Sequence, residues 1–414
     1  MRIHSTKSSA PWIAASTPPI GTATWGATNA VSSSAPSLTK THPSFDVAKA
    51  HELYAILLGP FAREIKGKRL LIAGFPVGLP LAVLVTEKPS EALPNTAEGY
   101  RDINWLGSQH AITTLPSVAS LRALRMLAKA ERAPELFIGF GDPALGGNPS
   151  CGKPSLPASC PGTSGGIGQR VASLLGTTSN RSAHRAVTRA PPQSLFKGNL
   201  ANVEVLRVQC PLPETSFELK CVAQSLGVPE SQIQVREKAT ETAVKMAPLE
   251  RYQIVHFATH GLLASETKQA TGSLAEPALV LTPPSTAMES DDGLLTASEI
   301  ARLKLNADWV VLSACNTAGG GTTASGDALS GLARAFFYAG ARALLVSDWA
   351  VDSDAAVLLI THAFAELSQN PSIGRAEALR RSMQAVIKDT SRPSAAHPSF
   401  WAPFIIVGEG GGGR

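Results

Sequence analysis

The chain has 414 residues, of which 44% are hydrophobic and 17% are charged, a composition typical of a globular protein with a substantial buried core. Its formal net charge is only +5, and no run of Lys and Arg with interleaved aromatic residues indicates a nucleic-acid-binding surface. The longest apolar run, residues 70–85, is interrupted by two prolines and two glycines. It is also shorter than the roughly 20 residues of a membrane-spanning helix. We therefore expect neither a nucleic-acid partner nor a membrane partner.

The cysteines are widely spaced in the sequence. They are Cys151, Cys160, Cys210, Cys221 and Cys315. An odd number of cysteines without any CxxC pair predicts neither a disulfide framework nor a zinc site built from cysteines. Because unpaired cysteines are typical of a reducing compartment, we expect a cytoplasmic location.

Three segments lack the regularly spaced apolar residues that a packed helix or strand needs. Residues 1–43 are a low-complexity leader rich in Ser, Thr, Pro and Ala, which we expect to be disordered. Residues 143–200 are rich in Gly, Pro and Ser and are predicted to form a long surface loop. Residues 409–414 are rich in Gly and are predicted to form a flexible tail.

Between the leader and the loop, the pattern predicts helices and strands. Apolar residues at intervals of three and four predict helices over 46–64 and 116–130. Short apolar runs predict strands over 70–73, 81–85 and 135–140.

After the loop, a helix is predicted over 213–226, and from Arg251 onward the alternation is that of a doubly wound α/β domain. Strands are predicted over 252–258, 278–281, 307–313 and 342–346, and helices over 296–303, 327–338 and 353–368. The strand over 307–313 is apolar on both faces, as central parallel strands are. We find no internal repeat of 20 to 50 residues.

Two chemically competent groups follow predicted strands. In an open parallel sheet, functional groups collect beyond the carboxyl ends of the strands. His260 and Gly261 follow the strand over 252–258, and Cys315 follows the strand over 307–313. A thiol needs a nearby base to form thiolate at neutral pH, and an imidazole is such a base. The backbone N–H groups of Gly261 and Cys315 are candidate donors for an oxyanion.

These residues lie in segments that resemble a known family. Residues 255–261 (VHFATHG) and 311–320 (VLSACNTAGG) resemble the two active-site motifs of the CHAT family. CHAT proteins are relatives of caspases and separases. His260 and Cys315 of these two segments lie 55 residues apart. Five further segments resemble CHAT segments in the expected order: 45–60, 110–125, 137–145, 326–355 and 400–410. Such an ordered series is far more specific than one short motif.

The resemblance implies a fold and an activity for residues 44–408. The fold would be a three-layer α/β/α caspase-like sheet, with a degenerate, pseudo-caspase half over 44–200 and a catalytic half over 201–408. The activity would be that of a cysteine endopeptidase in which Cys315 is the nucleophile and His260 the general base, with no metal or organic cofactor. CHAT proteins usually carry tetratricopeptide repeats ahead of the domain. Besides a protein or peptide substrate, we therefore expect a tetratricopeptide-repeat or other regulatory protein acting in trans.

Two other functions remain compatible with the same residues. A catalytically silent CHAT module would serve as an interaction scaffold, and a covalent thiol probe would distinguish it from an enzyme. A small-molecule hydrolase could use the same Cys and His, because a fold does not determine a substrate. A peptide library tested beside a panel of small esters would separate those two enzymes.

Three further polar residues have two interpretations each. His256 and His260 form an HxxxH pair, but no third metal ligand is evident and the context is a strand, so a structural His256 is favoured. Asp352 and Asp354 follow the strand over 342–346. In separases a similarly placed acid lines the pocket for a basic P1 side chain. The alternative for both is helix capping, because the next helix is predicted to begin there.

Overall fold

The computed structural model describes residues 2–6, 44–74, 79–90, 94, 96–127, 131–149, 151, 159–160, 196–197, 200–262, 276–314, 331–349 and 351–411. Its strands are β1 Arg2–Thr6, β2 Arg69–Ala73, β3 Ile112–Leu115, β4 Glu135–Pro143, β5 Phe196–Lys197, β6 Leu200–Ala201, β7 Ile233–Arg236, β8 Tyr252–Ala258, β9 Gly261–Leu262, β10 Ala278–Val280, β11 Leu294–Thr296, β12 Trp309–Ser313, β13 Ala343–Ser347 and β14 Phe404–Gly408. Its helices are α1 Val47–Leu57, α2 Ala62–Ile65, α3 Leu106–Gln109, α4 Val118–Leu127, α5 Val203–Arg207, α6 Pro213–Leu226, α7 Glu241–Met246, α8 Ala297–Ile300, α9 Gly331–Ala339, α10 Ser353–Gln369, α11 Arg375–Lys388 and α12 Pro398–Trp401.

Nine of these strands form one sheet in the order β1-β2-β3-β14-β13-β12-β8-β4-β7. The five strands from β13 to β7 are mutually parallel, and so are β2, β3 and β14, while β13 and β14 run antiparallel and join the two blocks. The two halves predicted from the sequence therefore share this sheet. β4, which precedes residue 200, lies between β8 and β7 in the larger block.

Apolar side chains cover both faces of the sheet. Along β12, Trp309 and Val311 belong to one core cluster, and Val310 and Leu312 belong to another, as the two-residue period of a strand requires. Side chains of α6, α10 and α11 pack in the first cluster, and side chains of α7, α8 and α9 pack in the second. The arrangement is a three-layer α/β/α sheet, which confirms the predicted fold class.

Helix α6 packs on the sheet, and residues typical of helix ends lie at both of its termini. Pro213 occupies its first turn, where a missing N–H is not needed, and Gly227 ends it with a left-handed φ of 67°. Its residues Leu219 and Val222 are buried against the sheet. The helix predicted over 213–226 is thus confirmed.

Some predicted elements differ from the structure. The helix predicted over 46–64 is divided into α1 and α2 by a tight turn at Gly59–Phe61, where Pro60 cannot continue a helix. The strand predicted over 81–85 is instead a buried helical turn at Leu81–Val83, because a short apolar run does not distinguish the two. In the leader predicted to be disordered, Arg2–Thr6 pair with β2 as an edge strand, and residues 7–43 lie outside the described residues.

The prediction that the cysteines are unpaired is wrong. Cys151 pairs with Cys210, and Cys160 pairs with Cys221, with Cα–Cα distances of 5.4 and 5.2 Å. The partners are 59 and 61 residues apart, so only the fold brings them together. The pairs also remove the basis for expecting a reducing compartment, because disulfides are typical of oxidising ones.

Candidate functional site

The carboxyl ends of neighbouring parallel strands meet at one edge of the sheet. Ala258 at the end of β8 pairs with Ser313 of β12 on one side and with Gly141 of β4 on the other. His260 lies two residues beyond β8. Cys315 lies two residues beyond β12, but it is outside the described residues. Of the two predicted catalytic residues at this edge, His260 is therefore the one whose contacts the structure describes.

His260 is completely buried, and its ring has a defined partner. Its Nε2 lies 2.7 Å from the backbone carbonyl oxygen of Cys210. A carbonyl oxygen only accepts hydrogen bonds, so Nε2 carries the proton of the neutral ring and Nδ1 does not. The main chain of His260 is held as well, because Val280 N donates to its carbonyl oxygen at 2.9 Å. This ring can accept a proton at Nδ1 without losing its contact at Nε2.

The amide of Gly261 follows from the register of β9. Val280 N donates to His260 O, and Gly261 faces Leu279 in the antiparallel pair of β9 and β10. Pairs alternate between hydrogen-bonded and non-hydrogen-bonded along such a ladder. The Gly261–Leu279 pair is therefore the non-hydrogen-bonded one, and the Gly261 N–H points away from β10.

A buried polar network lies beneath this edge. His256 Nε2 is 2.9 Å from Glu218 Oε1, and the Ser313 hydroxyl donates to Glu218 Oε2 at 3.1 Å. Together these three side chains connect β8, α6 and β12, and all three are completely buried. The structural interpretation of His256 is confirmed. Glu218 was not singled out from the sequence, since its partners lie 38 and 95 residues away.

The two acids predicted near the next strand both lie at the start of α10. Asp352 is its N-cap, and Oδ1 accepts a hydrogen bond from Ala355 N at 3.1 Å. Asp354 lies in the first turn, so the capping interpretation is confirmed for Asp352 and the helical position for Asp354. Asp352 is nevertheless buried, and its Oδ2 has no hydrogen-bond partner within the described part of the chain. One oxygen caps the helix, and the other can bind a further donor.

Asp348 was not predicted as a site residue. It directly follows β13, and neither of its buried carboxyl oxygens has a hydrogen-bond partner among the described residues. Burial raises the pKa of Asp348 to about 8. A carboxyl group in that state is largely protonated at neutral pH, and a neighbouring cation would favour its ionised form. The only sequence feature that could have identified it is its position immediately after a buried strand.

Two more carboxyl groups lie near the ends of β4 and α6. Asp142 has a left-handed φ of 42°, its amide donates to Thr215 Oγ1 at 2.8 Å, and Arg236 Nη1 lies 3.3 Å from its Oδ1. Burial raises the pKa of Asp142, with the charge of Arg236 acting in the opposite direction. Glu214 is buried, and neither carboxyl oxygen has a partner among the residues that the structure describes.

The described ranges contain neither a metal-binding cluster nor a membrane-spanning helix. They hold no group of three or more His, Cys, Asp or Glu side chains arranged to bind a metal ion. The helices described there are all too short or too polar to cross a membrane.

Comparisons with known proteins identify a family. The CHAT domain family model matches residues 47–409. Mouse tetratricopeptide repeat protein 28 is 32% identical over 221 residues, which cover 48% of this chain and 9% of that protein. Its human counterpart is 30% identical over 223 residues, which cover 48% of this chain and 8% of that protein. The chain thus spans less than a tenth of the length of these curated relatives.

Solved structures also include a similar chain. The crystal structure of the Saccharomyces cerevisiae separase–securin complex matches with a TM-score of 0.35 and 14% sequence identity. The match covers 73% of this chain and 14% of the matched chain.

Proposed function

The chain belongs to the CHAT domain family, and on that premise we propose that it is a caspase-like cysteine endopeptidase. The observation that carries the proposal is the hydrogen bond from His260 Nε2 to the Cys210 carbonyl. It holds the ring in the tautomer that leaves Nδ1 as the basic nitrogen, beyond the carboxyl end of a central strand. General bases in enzymes are oriented by such a second contact.

In the proposed reaction, the first half forms a thioester. His260 Nδ1 takes the proton of the Cys315 thiol, and the resulting thiolate attacks the carbonyl carbon of the scissile peptide bond. The negative charge that develops on the carbonyl oxygen is stabilised by the N–H groups of Gly261 and Cys315. The C–N bond then breaks, and the protonated His260 delivers its proton to the leaving amine.

The second half of the reaction hydrolyses the thioester and regenerates the free enzyme. His260 takes a proton from a water molecule, and the hydroxide attacks the thioester carbonyl. The C–S bond breaks, the carboxylic acid product leaves, and the thiolate of Cys315 regains its proton from His260. Every step uses groups of this chain and water.

A basic P1 side chain is the proposed specificity. Asp352 Oδ2, which has no hydrogen-bond partner among the described residues, and the buried carboxyl group of Asp348 lie on the segment after β13. Asp354 is the other candidate for this pocket. A guanidinium or ammonium group could supply the hydrogen bonds and the positive charge that such carboxyl groups lack.

Regulation by a partner is part of the same proposal. The curated relatives are tetratricopeptide repeat proteins, of which this chain matches a small part. Such a repeat protein, or another regulatory protein acting in trans, would control access to the site. The cytoplasmic location stays a prediction, and the two disulfides favour an oxidising compartment instead.

The test combines turnover with covalent labelling. Wild type is incubated, without reductant, with a fluorogenic peptide library and with a peptide vinyl sulfone, and the labelled residue is found by mass spectrometry. Because the two disulfides use four of the five cysteines, we expect labelling at Cys315 alone. Cys315→Ala should abolish both labelling and hydrolysis without changing the melting temperature by more than a few degrees.

The outcomes separate the competing functions. Hydrolysis that persists in Cys315→Ala would overturn the mechanism. Absence of labelling and of hydrolysis in folded wild type, alone and with a candidate repeat protein, would favour a scaffold. Cleavage of small esters but of no peptide would indicate a small-molecule hydrolase.

A further inference from the structure

We infer that the Cys151–Cys210 disulfide positions His260 by fixing the main-chain carbonyl that holds its ring. The inference rests on the proposed function, in which His260 is the base. It assigns to Cys151 and Cys210 a positioning role in the reaction rather than a purely structural one.

The carbonyl in question belongs to an irregular segment. Cys210 lies between α5 and α6, outside any helix or strand. Its oxygen accepts the hydrogen bond from His260 Nε2 at 2.7 Å. A displacement of about 1 Å would lengthen that bond beyond the usual range and release the ring. The position of His260 therefore depends on what restrains residues 208–212.

Part of the restraint on this segment and on the neighbouring Arg207 comes from the loop that follows β4. The amides of Gly146 and Gly147 donate to Arg207 O at 2.7 and 3.3 Å, and Asn148 Nδ2 donates to Val208 O at 2.9 Å. Each of these hydrogen bonds can exchange with water. The Cys151–Cys210 bond joins the same loop to the residue whose carbonyl holds the His260 ring, and among the described residues it is the only covalent cross-link to that segment.

The second disulfide provides a matched control. Cys160 pairs with Cys221 inside α6, and not with the irregular segment whose carbonyl holds the His260 ring. The two disulfides close chain loops of nearly equal length, with sequence separations of 59 and 61. In the chain-entropy model, their loss should therefore reduce stability by similar amounts. Only the loss of Cys151–Cys210 should disturb the ring.

The experiment compares two double variants of the full chain, Cys151→Ser/Cys210→Ser and Cys160→Ser/Cys221→Ser. Each removes one disulfide without leaving an unpaired thiol, and the carbonyl of residue 210 remains. We expect similar decreases in melting temperature. In the first variant kcat should fall about 10- to 100-fold with little change in KM. The apparent pKa that describes the acidic limb of the pH profile of kcat/KM should also shift. Equal kinetic losses in both variants, or none in either, would overturn the inference.

A second readout does not depend on turnover. Long-range ¹H–¹⁵N spectra distinguish the two neutral tautomers of a histidine ring, and His260→Gln assigns the resonances. We expect the Nε2–H tautomer in wild type and in the Cys160→Ser/Cys221→Ser variant, and a tautomer mixture in the Cys151→Ser/Cys210→Ser variant. An unchanged His260 ring in that variant would overturn the inference even if the enzyme is active. A changed ring in a chain without hydrolysis would refute the proposed function alone.

If the first double variant does not fold, wild type is titrated with reductant under native conditions, and each disulfide is monitored by mass spectrometry. The His260 resonances should change with the reduction of Cys151–Cys210. A change that instead follows Cys160–Cys221 would overturn the inference.

Discussion

His256 and His260 lie four residues apart, one inside β8 and the other just beyond it, and their surroundings differ. Both side chains are completely buried. The His256 ring contacts the carboxyl group of Glu218, whereas the His260 ring donates to the neutral carbonyl of Cys210. Burial alone does not distinguish the two rings, but their partners do.

The two partners have different physical consequences. A buried carboxyl–imidazole contact with a second hydrogen bond from Ser313 joins three elements of the core, and losing one member leaves a polar group unsatisfied. A main-chain carbonyl fixes the tautomer of a ring and leaves its other nitrogen able to take a proton. We expect the first arrangement to stabilise the fold and, under the proposed function, the second to prepare a base.

Replacing His260 should produce the largest effect. We expect His260→Gln to lower kcat/KM by about 10²- to 10⁴-fold, because a general base is lost, while the melting temperature changes by only a few degrees. Peptide hydrolysis and thermal unfolding, measured on the same preparation, check this. A loss of stability that accounts for the loss of activity would erase the distinction between the two histidines.

His256 should show the opposite pattern. His256→Ala should lower the free energy of unfolding by about 3–5 kcal/mol, the usual cost of breaking a buried pair of this kind. Any folded fraction should keep most of its kcat. Urea unfolding of His256→Ala, Glu218→Gln and the double variant forms a mutant cycle, and we expect the double variant to be less destabilised than the sum of the two. Additive losses would contradict a direct interaction between the two side chains.

The comparison also shows what the sequence could predict. β8, β12 and β13 were predicted to within two residues at each end, because apolar runs bounded by polar residues reveal buried strands. The position of His260 just beyond the end of a strand could likewise be predicted from the sequence. The partners of both rings were not, since Glu218 and Cys210 approach them only through the packing of α6 and the segment before it.

Cys210 illustrates the limit most clearly. Its contact with His260 is made by a main-chain oxygen, which every residue possesses, so no residue type reveals it. Its disulfide partner precedes it by 59 residues, across a segment with no regular pattern. The spacing of His260 and Cys315 could be matched to a family, whereas the support of the site depends on the three-dimensional fold.

Asp348 extends the comparison to a buried carboxyl group that has no hydrogen-bond partner among the described residues. Its pKa is raised to about 8 by burial, from an ordinary value of 3.8. Between about pH 4 and pH 8 the folded chain keeps a proton that the unfolded chain has lost. The free energy of unfolding should therefore fall as the pH rises, by at most about 1.4 kcal/mol per pH unit from this group. Asp348→Asn should remove that contribution and be more stable than wild type at pH 8.

Thermal unfolding of both chains from pH 5 to pH 8 checks this prediction. The difference between them should grow with pH. Asp354→Asn is the control, because Asp354 is only half-buried in the first turn of α10. Parallel curves for Asp348→Asn and wild type would show that Asp348 ionises normally in the folded chain.

Asp352 should produce the smallest effect, confined to specificity. Asn is as good an N-cap as Asp, so Asp352→Asn should keep the hydrogen bond from Ala355 N and leave the stability almost unchanged. If the second oxygen of Asp352 binds a basic P1 side chain, the variant should lose about 1.5–3 kcal/mol of a charge-assisted bond. That corresponds to about 10- to 100-fold in kcat/KM for Arg and Lys substrates, with other P1 residues little affected. A P1-varied peptide library on wild type, Asp352→Asn and Asp354→Asn measures this, and a selective loss in Asp354→Asn would assign the pocket to that residue instead.

A wild-type preference for apolar or acidic P1 residues would exclude both acids from the pocket. It would leave the chemistry of Cys315 and His260 intact, because those groups act on the backbone carbonyl whatever side chain lies beside it.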